Sequence, residues 1–348
     1  MYNRTHQMFE MLTSRSNRDN SDIEGFGYRS DTTEPDITHG TWSLPGVGEG
    51  SHQTVGFKLL SGLLNQSKML PLKYIGNLTV ELELVNHKDD PFVSNYDAVL
   101  LEAICSSEWS IENVQLKCDI VNIDNTLQNN YDSHLLNGGK LPISYNTYIC
   151  QSQAVSGQDI SVNVSRAISR LKSVFVSFYK SEYKDAAGVV EVNPMTTAIR
   201  KEWLDFVHPM ENAGNAAGIN LKYDKGYELE FQMQIGSKLF PEYPIRSLSE
   251  AFSQLKKSVG ILGSNFHSVS ISPTQYRNDH FVIGCDTEKA TSVGWTGINT
   301  RAGDLLSVRV KAMDKAILTA DLMPDQMFIV LHSDCMLEIS DSGTAVFD

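Results

Sequence analysis

The stretch YELEFQMQI at residues 227–235, with the stretch GSKLFPEYPIRSLSEAFSQLKKSVG that follows it at 236–260, decides the predicted fold. In the first stretch, apolar and polar residues alternate without a break. This period of two predicts a β-strand with one buried face, because successive strand side chains point to opposite faces. Pro241 and Pro244 then predict an extended segment that does not lie at the centre of a sheet.

After Arg246 the pattern changes to that of a helix. Ser247 and Glu250 have the S-x-x-E spacing of a capping box, which satisfies free N–H groups at a helix start. Apolar residues follow at helical spacing, namely Leu248, Phe252, Leu255 and Val259. Gly260 is a suitable stop. The whole stretch therefore predicts a strand, a proline-containing elbow and one short amphipathic helix.

Strand-like segments recur along the rest of the chain. About eight are predicted between residues 38 and 180 at hairpin-like spacing, among them 78–84, 98–104, 111–121, 143–153, 159–165 and 171–180. A later series comprises 281–284, 305–313, 317–322, 327–331, 335–339 and 344–347. A short helix is predicted at 126–136. Helices do not alternate with strands, so the sequence predicts an all-β chain with two consecutive antiparallel β-sandwiches.

Composition suggests how the chain is divided. Residues 1–37 are polar and carry too little apolar surface to pack a core, so we predict a flexible N-terminal arm. The first sandwich is predicted at 38–181 and the second at 223–348. Between them, 182–222 contains small, turn-prone and non-periodic runs, which predict a linker or long loop.

Charge and cysteine content exclude several classes of protein. The 348 residues carry a net charge of −13, and so acidic a surface repels phosphate backbones, which disfavours sequence-specific nucleic-acid binding. The first residues lead into no secretory signal, and no apolar run approaches the roughly 20 residues of a membrane helix. The odd, widely spaced cysteines predict buried apolar thiols in a reducing compartment, namely Cys105, Cys118, Cys150, Cys285 and Cys335.

No motif predicts a catalytic site, a metal centre or a cofactor. The run Asp341-Ser342-Gly343-Thr344 matches the aspartic-protease signature, but that chemistry needs a second carboxylate and the sequence has no second copy. We interpret this run as a β-turn between the last two strands. The glycines at 46–50 lack the spacing of a phosphate-binding loop. His332 near Asp334 comes closest to a metal-binding pair, and we interpret the two as an inter-strand surface pair.

Three stretches carry a family resemblance. The first is LSGLLN at 60–65, continuing through LPL at 70–72 into NLTVEL at 77–82. The second is QIGSKLFPEYPIRS at 234–247 with its helix, and the third is GINTRAGD at 297–304 with the β-rich C-terminus. Together they resemble the double jelly-roll major capsid proteins of the adenovirus–tectivirus lineage, particularly those of polinton-like viruses and virophages.

The resemblance implies two eight-stranded jelly rolls side by side, with one or two short helices, in a homotrimer. That trimer would be a pseudo-hexameric capsomer tiling an icosahedral shell. The protein would be a structural virion protein, not an enzyme, made inside the host cell and without cofactors. Its partners would be its own copies, neighbouring capsomers, and minor capsid or penton proteins. An internal membrane is a further candidate partner, and the arm would order on contact with neighbours.

Three alternatives compete with this reading. The main one is a carbohydrate- or receptor-binding β-sandwich of the fibre or lectin-like kind. Its aromatic groove would draw on Trp203, Trp295, Tyr131, Tyr145 and Tyr148, although aromatics in a sandwich more often lie in the core or in subunit contacts. The second is a cupin-like metal enzyme. The third is a minor capsid or penton protein, which the predicted second domain disfavours because a penton base needs one jelly roll.

Overall fold

A computed structural model of the chain describes sixteen segments, and each structural statement below concerns these residues alone. They are 1–13, 52, 54–66, 68–76, 78–84, 110–157, 159–179, 206, 208–209, 229–262, 269, 271–278, 280–288, 297–301, 305–312 and 324–348. The predicted strands at 98–104 and 317–322, the glycine run at 46–50 and most of the predicted linker at 182–222 lie outside them.

The described residues form six helices and nine strands. The helices are α1 (Tyr2–Leu12), α2 (Gly62–Asn65), α3 (Leu72–Ile75), α4 (Asn125–Leu136), α5 (Leu248–Ser258) and α6 (Pro273–Asn278). The strands are β1 (Leu141–Ala154), β2 (Asp159–Asn163), β3 (Leu171–Tyr179), β4 (Leu229–Ile235), β5 (Lys238–Ile245), β6 (Ile283–Asp286), β7 (Leu306–Ala312), β8 (Gln326–Ser340) and β9 (Gly343–Phe347).

The strands pair into two antiparallel sheets. Sheet A has the order β1-β8-β3-β6, with β9 also paired to β8, and sheet B has the order β2-β7-β4-β5. Strands β1 to β8 thus cross between the two sheets in the order of one eight-stranded jelly roll. This confirms the predicted class, an all-β chain of antiparallel sheets with a few short helices.

Both predicted sandwich ranges contribute strands to this one roll. β1 and β3 lie in the range 38–181, yet each pairs with β8 from the range 223–348. The β1–β8 pairing runs in unbroken register from Leu141↔Ile339 to Ala154↔Gln326. The predicted linker at 182–222 therefore lies in the connection between β3 and β4, two strands of a single sandwich. The division of the whole chain into two consecutive jelly rolls stays a prediction.

Over 229–260, the described part of that stretch, the strand, elbow and helix form as the sequence predicts. β4 alternates between buried and partly buried residues along its whole length. β5 carries both prolines and lies at the edge of sheet B, where a missing N–H does not interrupt the ladder. The Ser247 hydroxyl accepts a hydrogen bond from the Glu250 amide at 3.2 Å. Gly260 ends the helix with a φ of 77°.

Helix α1 corrects the prediction of a flexible arm, which is wrong for residues 1–13. Met8, Met11 and Leu12 are buried in the main hydrophobic core. Arg4 is also buried, because its guanidinium group donates to the Phe178 carbonyl at 2.8 Å and its Cζ lies 3.7 Å from the centroid of the Phe206 ring. A count of apolar residues misses this contribution from a cation over an aromatic face.

Helix α1 covers the outer face of sheet A. Ile283 lines a small cavity together with Phe231 of sheet B, and Ile283 pairs with Val176, so Val176 faces the interior of the sandwich. Phe175 points the other way, since neighbouring strand residues alternate. The ring of Phe9 lies 5.1 Å from that of Phe175. Strand β3 at the centre of sheet A is therefore buried on both faces, and α1 adds a third layer.

The stretch at 60–75 that carries the family resemblance packs at one end of sheet A. A second, smaller core contains Ile143 of β1 with Leu337 and Ile339 of β8. Helices α2 and α3 cover it with Leu63, Tyr74 and Ile75, and the connection between them adds Leu70. In addition, Asp132 of α4 accepts a hydrogen bond from the Tyr74 hydroxyl at 2.6 Å, which joins α4 to α3.

Replacing Gly62 with alanine should destabilise this contact. An added Cβ would lie 1.6 Å from the carbonyl oxygen of Asn146, a backbone atom that cannot rotate away. We expect Gly62→Ala to lower the free energy of unfolding by roughly 1–3 kcal/mol, the usual cost of overpacking. Chemical denaturation measures the change. The control Gly56→Ala, which meets nothing within 4 Å, should alter stability far less, and equal effects would contradict the packing.

Truncating Met11 tests the docking of α1. Met11 is fully buried, so Met11→Ala should lower the free energy of unfolding by about 2–5 kcal/mol through lost burial and a new cavity. Met69 is 66% exposed, and Met69→Ala should change the free energy of unfolding by no more than about 0.5 kcal/mol. Denaturant titration of the two variants gives the comparison. A flexible arm would instead make Met11→Ala as harmless as its control.

Candidate interaction surface

A groove lies between β5, α5 and the end of β6. Its volume is about 590 Å³. Cys285 lines it, but burial raises the pKa of this thiol to about 12, so it stays protonated and is a poor nucleophile. Lys257 Nζ lies 3.9 Å from a carboxylate oxygen of Asp286. Among the described residues, no group of three or more His, Cys, Asp or Glu side chains could hold a metal ion.

The run at 341–344 is the hairpin turn between β8 and β9, which confirms the interpretation as a turn. The Ser340 hydroxyl donates to the Gly343 carbonyl at 3.0 Å and lies 2.9 Å from the Ser342 hydroxyl. Gly343 has a φ of 124°, a conformation that favours glycine. These residues close a turn and do not present a catalytic carboxylate.

The prediction that His332 and Asp334 form a surface pair is wrong. His332 is largely buried, its ring stacks on that of Tyr148 at 5.0 Å, and its Nδ1 lies 3.0 Å from the Ser173 hydroxyl. Asp334 instead pairs with Lys172 at 3.4 Å. Burial, and secondarily the charge of Lys172, lowers the pKa of His332 to about 4.

Other predicted residues divide between the core and the surface. Cys285 and Cys335 are buried as expected, whereas Cys118 is exposed and that prediction is wrong. Tyr148 packs against Phe9, with ring centroids 4.5 Å apart, so it belongs to the core and not to a sugar groove. Cys105, Trp203 and Trp295 lie outside the described residues.

The edges of the two sheets differ in how they are protected. At β6, α5 packs closely, since a Cβ on Gly284 would lie 3.0 Å from the Cα of Leu255. At β1, α2 approaches the strand backbone through Gly62. β5 carries Pro241 and Pro244, which remove N–H donors. In contrast, all five residues of β9 are exposed.

Two described segments with strand-like alternation have no partner strand among the described residues. They are 78–84 and 111–121, which the sequence predicts as strands and the structure leaves without pairing. Their large apolar residues are exposed, namely Leu78, Val80, Leu82 and Leu84 in the first and Ile111, Val114, Leu116, Ile120 and Val121 in the second. Extended exposed apolar surface of this kind marks interaction sites. β9 and these two segments are therefore the candidate interaction surface.

Within the part of the chain that the structure describes, none of the helices is long and apolar enough to cross a lipid bilayer.

Comparison with known proteins gives weak structural similarity only. No protein-family model matches the chain, and no curated protein is similar to it in sequence. Among solved structures, the chain is similar to the crystal structure of PBCV-1 VP54 fitted into a cryo-EM reconstruction of the virophage Sputnik. The identity is 9%, the TM-score is 0.38, and the match covers 64% of this chain and 54% of the other.

Two further structures show the same degree of similarity. A quasi-atomic model of the PBCV-1 virus capsid is 9% identical with a TM-score of 0.36, over 64% of this chain and 54% of that one. The cryo-EM structure of the Sputnik virophage is 11% identical with a TM-score of 0.31, over 60% and 38%. The chain thus spans about half or less of each of these relatives.

Two buried histidines should make stability depend on pH. Burial lowers the pKa of His208 to about 3, and the pKa of His332 is about 4. The unfolded chain binds these protons near the usual histidine pKa of about 6.5, so the unfolded state gains protons first as the pH falls. The contribution of the two neutral histidines to the free energy of unfolding should be fully present above about pH 6.5. Below that pH, this free energy should fall by about 1.4 kcal/mol per pH unit for each histidine.

The variant His332→Phe isolates one of these contributions. Phenylalanine keeps a ring against Tyr148, so the pH dependence between about 6 and 4 should become shallower by about 1.4 kcal/mol per unit. His52 is exposed, and His52→Phe should leave the slope unchanged. Denaturant titrations at several pH values supply the measurement. An unaltered slope in His332→Phe would show that this histidine is not buried in its neutral form.

Proposed function

We propose that the chain is a structural protein of a virus capsid, located in the virion shell, and not an enzyme. One observation carries this proposal: the strand order β1-β8-β3-β6 and β2-β7-β4-β5 is that of a jelly roll, in a chain with three stretches that resemble jelly-roll capsid proteins. Support also comes from two potentially reactive side chains, because burial holds the thiol of Cys285 and the imidazole of His332 in their neutral forms.

Such a protein acts through shape and buried surface. The three layers formed by α1, sheet A and sheet B give a stiff body, since the central strands β3 and β8 are buried on both faces. The exposed apolar segments at 78–84 and 111–121 supply surface for contacts between copies. Many weak contacts repeated around a closed shell give high overall stability by multivalency.

The first arrangement we propose is that of a major capsid protein. In it three copies trimerise into a pseudo-hexameric capsomer, and neighbouring capsomers, minor capsid or penton proteins, and an underlying membrane are its partners. This arrangement follows from the resemblance of 60–82, 234–247 and 297–304 to double jelly-roll proteins. It requires that the predicted strands before residue 124 complete a first roll.

A second arrangement, as a single-roll vertex protein in a pentamer, is favoured by a specific observation. The described roll takes three of the roughly eight strands predicted for the range 38–181, namely β1, β2 and β3. Only about five predicted strands then remain in that range, fewer than the eight of a jelly roll. A penton base needs one roll, and the described strands complete one.

The mass of the purified protein tests the proposal and separates the two arrangements. The chain has a mass of 38.7 kDa. Particles of three times this mass, with a pseudo-hexagonal outline in negative-stain microscopy, support the major capsid protein, and ring-shaped particles of five times this mass support the vertex protein. A stable monomer would contradict the capsid proposal, and glycan binding or stoichiometric metal would then favour one of its rivals.

A further inference from the structure

We propose that the free edge of β9 receives the segment 78–84 of a second copy of this chain as an additional strand. This inference rests on the proposed function, because it requires the chain to assemble with its own copies. It names the contact by which two neighbouring subunits would be joined. The contact would consist of backbone hydrogen bonds between strands, with alternate side chains adding specificity, as in other cases of strand addition.

β9 presents a strand edge that no described strand covers, although helix α3 lies close to β9. It pairs with β8 from Ser340↔Gly343 to Met336↔Phe347, and no second partner strand is present among the described residues. Its sequence, GTAVF, has neither a charged residue nor a proline, the two devices by which natural edge strands avoid pairing with other chains. Val346 is 59% exposed. The edge is therefore open to an incoming strand.

The segment 78–84 has the properties of that incoming strand. Its sequence, LTVELEL, alternates between β-compatible apolar residues and polar ones. All seven residues are exposed, and none is assigned to a strand. Seven residues are enough to cover the five of β9. Its apolar residues gain burial only when the segment pairs and packs against another surface.

Charge favours this segment over the other unpaired one. At the end of β9, the carboxylate of Asp348 lies 3.9 Å from a guanidinium nitrogen of Arg166 and also pairs with Arg301. One carboxylate thus faces two half-exposed guanidinium groups in a chain whose net charge is −13. The polar positions of 78–84 include Glu81 and Glu83, which complement that surplus of positive charge.

The rival occupants fit this charge less well. The segment 111–121 carries Lys117 together with Glu112 and Asp119, a net charge of −1, whereas 78–84 carries Glu81 and Glu83 and no cation, a net charge of −2. The segment 111–121 would therefore complement Arg166 and Arg301 less well. Antiparallel pairing of two β9 strands would leave the arginines of both copies without new carboxylates. The acidic segment is therefore the occupant that the observations favour.

Cysteine cross-linking tests the pairing in the assembled protein. In a background with Cys118→Ser and Cys105→Ser, one tagged copy carries Val346→Cys and a differently tagged copy carries Val80→Cys. The copies are assembled together and treated with a short bis-maleimide reagent. We expect a product that joins the two tags in the mixture, and no such product when either variant is assembled alone.

Charge reversal adds a readout that general misfolding would not reproduce. Glu81→Lys with Glu83→Lys should lower the yield of the mixed product about tenfold, since like charges would then meet. Adding Arg166→Glu and Arg301→Glu on the β9 copy should restore it. The control Glu242→Lys, at an exposed glutamate on β5, should leave the yield unchanged.

Each of the following outcomes would contradict the inference. A product from Val346→Cys alone would show that β9 pairs with itself. A product confined to single chains carrying both cysteines would show that 78–84 pairs with its own β9. Particles of three or five times the chain mass without the mixed product would remove this contact and leave the capsid proposal standing. Monomers alone would remove both.

Discussion

The pairing of strand β8 with its neighbours is the interaction on which the rest of the structure depends. Over its 15 residues, β8 pairs with β1 along one edge and with β3 and then β9 along the other. Its inner face contributes to the core shared with sheet B, and its outer face lies beneath α1. Because β8 inserts between strands some 150 to 200 residues earlier in the chain, its pairing with β1 and β3 cannot form until both halves meet. The jelly roll is thus a long-range structure, and neither half of it is an independent domain.

This dependence explains which features could be predicted from the sequence. β4, α5 and the β8–β9 turn follow from local signals, namely a period of two, a capping box and a glycine, which act within a few residues. The period also identifies β1, β2 and β3 as strands. It does not identify their partners, because alternation reports which face is buried and not which strand lies alongside. The boundary predicted at 182–222 illustrates this limit, since composition alone does not distinguish a linker between domains from a long connection between β3 and β4.

The errors at individual residues have a common physical cause. Arg4, His332 and Asp334 are polar residues that tertiary contacts bury, through an aromatic face, a stacked tyrosine and the ammonium group of Lys172. Composition assigns such residues to the surface because burial without partners would cost several kcal/mol. The partners come from distant parts of the chain, so only the folded structure reveals them. Cys118 shows the opposite error. It lies on the apolar side of a strand-like alternation, so the pattern predicts burial, but no described strand covers it and it is exposed.

The candidate interaction surface follows from how the chain treats its sheet edges. An unpaired strand edge binds other strands indiscriminately unless a protein blocks it. Here α5 and α2 pack at β6 and β1, and two prolines interrupt β5. Such protection suppresses unwanted pairing between copies wherever their local concentration is high. The edge of β9 carries neither a charge nor a proline, in contrast to that of β5, and this difference favours association at β9. Unequal protection of its edges is a way for a β-sandwich to direct association to chosen strands.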